Sequence, residues 1–165
     1  MTCPSNKYAL STYKLERLGN QIRYAYQCCS IPAALASVVG DSMYETARTE
    51  LYPGLYQAHY LDRQVAKCPD ERPLMKSMKL GSTNNRLWYE LSCIALNPGY
   101  SVSSAPAVSA TFDMETKLTY AFDQVDVSCK TSTETKYITE SKLSLDYAPN
   151  PDTAAFYLQC STVLM

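Results

Sequence analysis

The amino-acid sequence predicts an all-β chain built from three tandem, disulfide-closed β-hairpin modules of about 60 residues each. Three observations predict this class: a unit that recurs three times, a cysteine at both ends of every unit, and alternating apolar and polar residues before each closing cysteine. We expect the modules to pack as a small sandwich or as a pseudo-threefold, barrel-like array.

The first two units align without a gap. Residues 3–28 read CPSNKYALSTYKLERLGNQIRYAYQC and residues 68–93 read CPDERPLMKSMKLGSTNNRLWYELSC, while residues 129–160 repeat the pattern with a longer tip. A repeated unit bracketed by cysteines is typical of a small module that its own disulfide holds together. The sequence therefore predicts the disulfides Cys3–Cys28, Cys68–Cys93 and Cys129–Cys160.

Each unit reads as a hairpin. The first strand of each carries a Lys-Leu pair, a polar turn region follows, and the closing strand alternates in period two, so that one face is apolar and includes the cysteine. Two of the opening cysteines also follow a related strand, at residues 60–67 and 121–128. Only Met1 and Thr2 stand before Cys3, so the first module lacks this leading strand.

These features divide one compact unit, residues 1–165, into three repeats. Repeat one covers residues 1–58 and lacks a leading strand, repeat two covers 59–117, and repeat three covers 118–165 and lacks a trailing segment. A row of repeats with an incomplete unit at each end must close on itself, be capped, or pair with another chain.

The composition of the chain limits the partners and the cellular compartment that we expect. A net charge of −1 and a pI near 5.8 give no reason to expect a nucleic-acid partner, and the absence of a long apolar run argues against membrane insertion. The cysteines form no C-x-x-C pair, and His59 is the only histidine, so we predict no metal site. Disulfides then indicate an extracellular protein, secreted or at the cell surface.

Catalytic motifs are missing from the sequence. His59 has no nucleophile motif around it, and the chain contains no phosphate-binding loop and no H-E-x-x-H sequence. We therefore predict that the protein is not an enzyme, with no catalytic residue and no cofactor.

Of the seven cysteines, Cys29 is the one that the three predicted disulfides leave unpaired. An odd cysteine in a secreted chain suggests an intermolecular bridge or a free thiol. Two alternatives stay open at this point: Cys29 is a buried, inert thiol, or it closes the first loop in place of Cys28.

Aromatic residues suggest a second function. Tyr26, Trp88 and Tyr157 lie in closing strands near polar side chains, and such aromatics line shallow sugar sites, which three copies would make multivalent. The alternative is that Trp88, on the outward phase of its strand, packs beneath a neighbouring loop or module.

The pattern of Cys-Pro openings and tyrosine-rich closing strands resembles dermatopontin-like proteins, which are tyrosine-rich, disulfide-looped proteins of the extracellular matrix. Cys3-Pro4 and Cys68-Pro69 are similar to the opening of the family's unit, and residues 24–29 (YAYQCC) resemble its closing strand with a doubled cysteine. The resemblance implies matrix assembly, cell adhesion or sugar binding.

The sequence thus predicts a secreted, non-enzymatic structural protein, a subunit of an extracellular matrix or filament whose copies join by strand completion. The partner is another copy, with glycans or matrix proteins as further candidates; the alternative is a soluble, lectin-like carbohydrate-binding module. The expected assembly residues are those of the two termini: Met1, Thr2, Cys3, Pro4, Ser161, Thr162, Val163, Leu164 and Met165.

Overall fold

The computed structural model describes residues 1–18, 21–35, 42–50, 64–83, 85–109, 112–113, 126–129, 134–144 and 153–164. This part of the chain is all-β. Its strands are β1 (Tyr8–Leu18), β2 (Gln21–Ser30), β3 (Ser42–Glu45), β4 (Thr49–Glu50), β5 (Val65–Lys67), β6 (Leu74–Thr83), β7 (Arg86–Ile94), β8 (Ser101–Val108), β9 (Phe112–Asp113), β10 (Asp126–Ser128), β11 (Tyr137–Ser144) and β12 (Thr153–Leu164).

Three long antiparallel hairpins, β1–β2, β6–β7 and β11–β12, form the frame of the fold. Their strands are rich in tyrosine, leucine and other residues that favour a pleated, half-buried surface. Each hairpin has one β-bulge near the start of its first strand, at Ser11, Lys76 and Thr139. A bulge bends the strand and increases its twist, which helps the three hairpins to pack against one another.

The strands form three separate sheets. Their orders are β10-β1-β2, then β5-β11-β12-β8 with β9 also on β12, and finally β3-β7-β4 with β6 also on β7. The expected barrel-like closure is therefore wrong for the described residues, because no continuous ladder of hydrogen bonds joins the three sheets into a ring.

The residues just before each opening cysteine, here called the leaders, dock on a different hairpin. The N–H of Cys3 donates to the bulge carbonyl of Lys76 at 3.0 Å, that of Cys68 to Thr139 at 3.1 Å, and that of Cys129 to Ser11 at 2.9 Å. The leader of the first hairpin thus lies on the second hairpin, that of the second on the third, and that of the third on the first.

The core lies where the three hairpins meet, and it contains the disulfides. Tyr13 of β1 shows how the hairpins interlock: its ring makes edge contacts with Tyr24 at 6.2 Å and with Phe156 of β12 at 5.9 Å between centroids. Its hydroxyl is hydrogen bonded to Ser141 Oγ of β11 at 2.5 Å. A smaller cluster consists of Ala9, Ile31, Leu74, Ile94 and Tyr137.

Several sequence expectations concern residues that the structure describes only in part. Residues 65–67 and 126–128 of the expected leading strands form β5 and β10, and residues 60–64 and 121–125 contribute only Gln64 to the described chain. Hairpin-tip residues 19–20, 84 and 145–152, like His59, lie outside the described residues. Within the described ranges, no helix has the length and apolarity needed to cross a bilayer.

Candidate functional site

The disulfides have the pairing that the repeat predicts. They are Cys3–Cys28, Cys68–Cys93 and Cys129–Cys160, with Cα–Cα distances of 5.7, 5.8 and 5.2 Å. Each disulfide joins an opening cysteine, which directly follows a leader, to the closing strand of the hairpin that comes next in the chain. The Cα–Cα distances lie within the usual range for a disulfide. Each bond therefore fixes a docked leader to the hairpin that follows it in the chain.

Cys29 is a free, half-buried thiol, and Cys28 closes the first loop. Its side chain packs against the smaller apolar cluster that includes Ile31 and Tyr137. Burial, and then the nearby Cys29, raise the pKa of the Tyr137 hydroxyl, which donates to the carbonyl of Ser30 at 2.8 Å. Cys29 thus contributes to packing on the side of β2 away from the first disulfide.

The three aromatic residues proposed as ligand contacts do not form one site. Tyr26, Trp88 and Tyr157 lie on β2, β7 and β12, which belong to three different sheets. Tyr26 is 43 % exposed and its hydroxyl donates to the Thr2 carbonyl at 3.1 Å. Tyr157 is half-buried, and its hydroxyl accepts a hydrogen bond from the amide of Gln159.

Trp88 is buried, so the alternative interpretation, that it packs beneath a neighbouring segment, is confirmed, and the ligand-facing interpretation is wrong. The residue is only 7 % exposed, and the Arg48 guanidinium lies 4.3 Å from the ring centroid. The indole occupies the space above Gly81, its cross-strand partner on β6. The sequence interpretation failed because β7 is covered on both faces, whereas period-two alternation assumes one open face.

The residues expected to take part in assembly pair with other strands of the same chain. Met1 and Met78 exchange two main-chain hydrogen bonds of 3.0 and 3.1 Å, and Thr2 forms a bridge with Ser77. At the other end, Ser161–Leu164 continue β12 and pair with β8, and Met165 lies outside the described residues. Most main-chain groups of Met1–Pro4 and Ser161–Leu164, the segments expected to bind a neighbour, thus already have partners within the chain.

Two of the three hairpins receive added strands on the outer edge of the closing strand. β3 and β4 pair with β7, and β8 and β9 pair with β12. Each added segment comes from the chain that follows the preceding hairpin. Among the described residues, no strand is added to the outer edge of β2.

A hydroxyl residue directly follows the first added strand in both cases, Thr46 after β3 and Ser109 after β8, and it makes the same pair of hydrogen bonds. Thr46 donates its N–H to the Tyr89 carbonyl at 3.0 Å, and its Oγ1 accepts the Tyr89 N–H at 2.9 Å. Ser109 makes the same pair of bonds with Phe156, both at 2.9 Å. Sequence reasoning missed Thr46 and Ser109, because they lie outside the repeated units and at different distances from them.

Gln64 holds the added strands β3 and β4 in place. It is only 2 % exposed, its Nε2 donates to the Ala47 carbonyl at 2.8 Å and to the Thr49 hydroxyl, and its Oε1 accepts from the Thr46 hydroxyl. A buried polar side chain needs such partners. No pattern in the sequence distinguishes this glutamine from a surface residue.

Gln64 also lines a groove of about 680 Å³ whose walls include Tyr44, Glu45, Lys67 and Glu71. Its amide is committed to the bonds just described, so a ligand would meet mainly Tyr44 and the charged side chains. No group of three or more potential metal ligands occurs in the described part of the chain.

The titratable groups with the clearest shifts are buried tyrosines rather than acids or bases in a cleft. Burial raises the pKa of Tyr13, Tyr24 and Tyr89 above the ordinary tyrosine value. Such shifts keep these hydroxyls protonated in the core, where they serve packing and hydrogen bonding.

Comparison with protein-family models, with curated proteins and with solved structures finds no match to this chain.

Proposed function

We propose that this protein is an extracellular structural subunit that assembles with further copies by strand addition. The proposal rests on one difference between three similar hairpins. The closing strands β7 and β12 each pair with added strands, whereas no described residue pairs with the outer edge of the closing strand β2. A strand edge with unpaired main-chain groups is a ready template for pairing with another chain.

The disulfides support the extracellular setting. Three of them lie in the core between hairpins, with all three opening cysteines buried. Disulfides of this kind persist in oxidising compartments. They also suit a structural role, because covalent closure stabilises the fold without any ligand.

The three hairpins are proposed to be tandem copies of one module, related by a pseudo-threefold arrangement. The equivalent hydrogen bonds of Cys3, Cys68 and Cys129, and the equivalent bonds made by Thr46 and Ser109, support this interpretation. In such an arrangement, every module has a position for an added strand, and the position on the first module is the one through which copies join.

Measurement of molar mass tests this proposal. Light scattering of the oxidised protein across a range of concentrations should show reversible growth beyond the monomer. A protein that remains monomeric at every concentration would refute assembly.

A second candidate function is carbohydrate binding, and the groove beside Gln64 is the observation that favours it. Tyr44 provides an aromatic ring, and Glu45, Lys67 and Glu71 provide polar groups around it. These are the kinds of group that a sugar site uses. A glycan array tests this alternative, with Tyr44→Ala as the control variant, and no binding to any glycan would reject it.

A further inference from the structure

The direction of the main-chain groups in β2 follows from its sister strands. Tyr24, Tyr89 and Phe156 each stand four residues before the disulfide cysteine of their strand. In β7 and β12, the N–H and C=O of this residue point outward, to Thr46 and Ser109. Because alternate residues of a strand point their main-chain groups to the same side, Tyr24, Tyr26 and Cys28 direct theirs away from β1.

The second hairpin supports this direction independently. Met78 exchanges both main-chain hydrogen bonds with Met1, so its groups face away from β7. Its cross-strand partner Leu91 must then face away from β6, toward β3. Tyr26 occupies the same place in its strand as Leu91, two residues before the disulfide cysteine.

The side chains of β2 are compatible with a second strand of the same kind. Arg23 is its only charged residue, and the guanidinium is already paired with Glu16 at 3.0 Å. β2 is ten residues long and has no proline, whereas the outer strand β8 carries Pro106 on its edge. Proline, short strands and charges are the usual means of keeping an edge unpaired, and β2 has little of this protection.

From these observations we propose that β2 is the interface between two copies of the chain, whose β2 strands pair antiparallel about a twofold axis. This inference rests on the proposed function and names the edge through which assembly occurs. In the register that we propose, Ala25 faces Ala25 of the second copy.

This register is chosen for three reasons. It forms hydrogen-bonded pairs between Tyr24 and Tyr26 of opposite copies, because both residues point their main-chain groups outward. It places Arg23 opposite Gln27, so no like charges meet. It also pairs nine residues, 21–29, and places the small Ala25 at the axis, where the two copies come closest.

Two substitutions test the interface in different ways. Tyr26→Pro removes one outward N–H without removing a hydrogen bond to β1, so it should raise the concentration needed for half-dimerisation at least tenfold. Tyr26→Ala is the control that removes the ring alone, and it should have a smaller effect. Ala25→Cys in a Cys29→Ser background should form a covalent dimer on oxidation, because directly opposed residues lie within disulfide range.

Gln27→Cys in the same background is the matched control for the cross-link, since Gln27 faces Arg23 in this register and should not link to itself. Hydrogen exchange provides a further measurement. The amides of Tyr24, Tyr26 and Cys28 should exchange rapidly in the dilute monomer and at least tenfold more slowly in the dimer.

The possible outcomes separate the two proposals. A chain that stays monomeric at all concentrations overturns both the proposed function and this inference. A chain that associates, but with Tyr26→Pro unchanged and no Ala25→Cys cross-link, overturns the inference alone. Protection of the three amides in the dilute monomer also overturns it, because β2 would then already have a partner within the chain.

Discussion

Replacement of Gly81 by alanine tests the burial of Trp88. A Cβ atom at position 81 would lie 2.4 Å from Cε2, 2.6 Å from Nε1 and 2.8 Å from Cζ2 of the indole. Carbon atoms in favourable contact are about 3.5–4.0 Å apart, so the ring would have to move by about 1 Å. The Arg48 guanidinium also contacts the ring, 4.3 Å from its centroid, so movement of the indole would disturb this contact as well.

The expected effect is a net loss of stability. Overpacking of a filled core costs about 1–3 kcal/mol, whereas replacing glycine by alanine inside a strand gains about 0.5–1 kcal/mol. Gly81→Ala should therefore lower the free energy of unfolding by about 1–2 kcal/mol. Chemical denaturation followed by circular dichroism measures this difference, with the exposed neighbour Ser82→Ala as the control.

A double-mutant cycle tests whether the loss of stability in Gly81→Ala comes from contact with the Trp88 indole. In a Trp88→Leu background the indole is gone, so Gly81→Ala should become neutral or stabilise by up to about 0.5–1 kcal/mol. The reasoning is refuted if Gly81→Ala is as stable as the parent protein while Trp88 is present. It is equally refuted if the cost of Gly81→Ala is unchanged after Trp88 has been removed.

Three further predictions concern the core. Replacing Cys68 and Cys93 by serine opens a 25-residue loop and should lower the free energy of unfolding by about 3.5 kcal/mol on the chain-entropy estimate, measured by denaturant titration; a loss below about 1 kcal/mol would contradict it. Tyr13→Phe removes the hydrogen bond to buried Ser141 and should cost about 1–2 kcal/mol, whereas Tyr13→Phe with Ser141→Ala should cost less than the sum of the single changes. Because burial raises the folded-state pKa of Tyr13 and Tyr89, their stabilising effect is complete below pH ~10 and decreases as the pH rises above the unfolded-state pKa, by about 1.4 kcal/mol per pH unit for each residue. The last part of the rise in tyrosinate absorbance, from the buried members of the fourteen tyrosines, should therefore coincide with the loss of circular dichroism, and completion of the absorbance change well before unfolding would contradict this.

Local features of the sequence were sufficient to predict the hairpins and the disulfides. The spacing of Cys3 and Cys28 is repeated by Cys68 and Cys93, and a repeated loop of this kind depends only on residues close in sequence. Alternation in residues 24–28 likewise reports a local preference for an extended strand. Such signals do not require knowledge of how the hairpins pack.

The errors arose where a contact joins distant parts of the chain. The alternation of β7 places Trp88 on the outward phase, and nothing local shows that the segment carrying Arg48, 40 residues away in sequence, covers that face of β7. Thr2 pairs with Ser77 on another hairpin, and no local pattern in the sequence predicts this long-range pairing. Gln64, Thr46 and Ser109 hold added strands through hydrogen bonds, which no residue pattern in the sequence predicts.

Because each leader docks on a different hairpin, a single hairpin produced with its own leader as a separate molecule should behave differently from the same hairpin in the chain. A solitary copy, cut from the chain with its own leader and disulfide, would have a leader with nowhere to dock and a bulge carbonyl with no donor, because the native partners belong to other copies. A closed homotrimer of such copies would satisfy both groups with the same circular order that the three hairpins have in this chain. The circular order of these contacts does not depend on which hairpin comes first in the chain. Circularly permuted proteins that begin at Cys68 or Cys129, with residues 1 and 165 joined by a linker, could therefore retain every inter-hairpin contact.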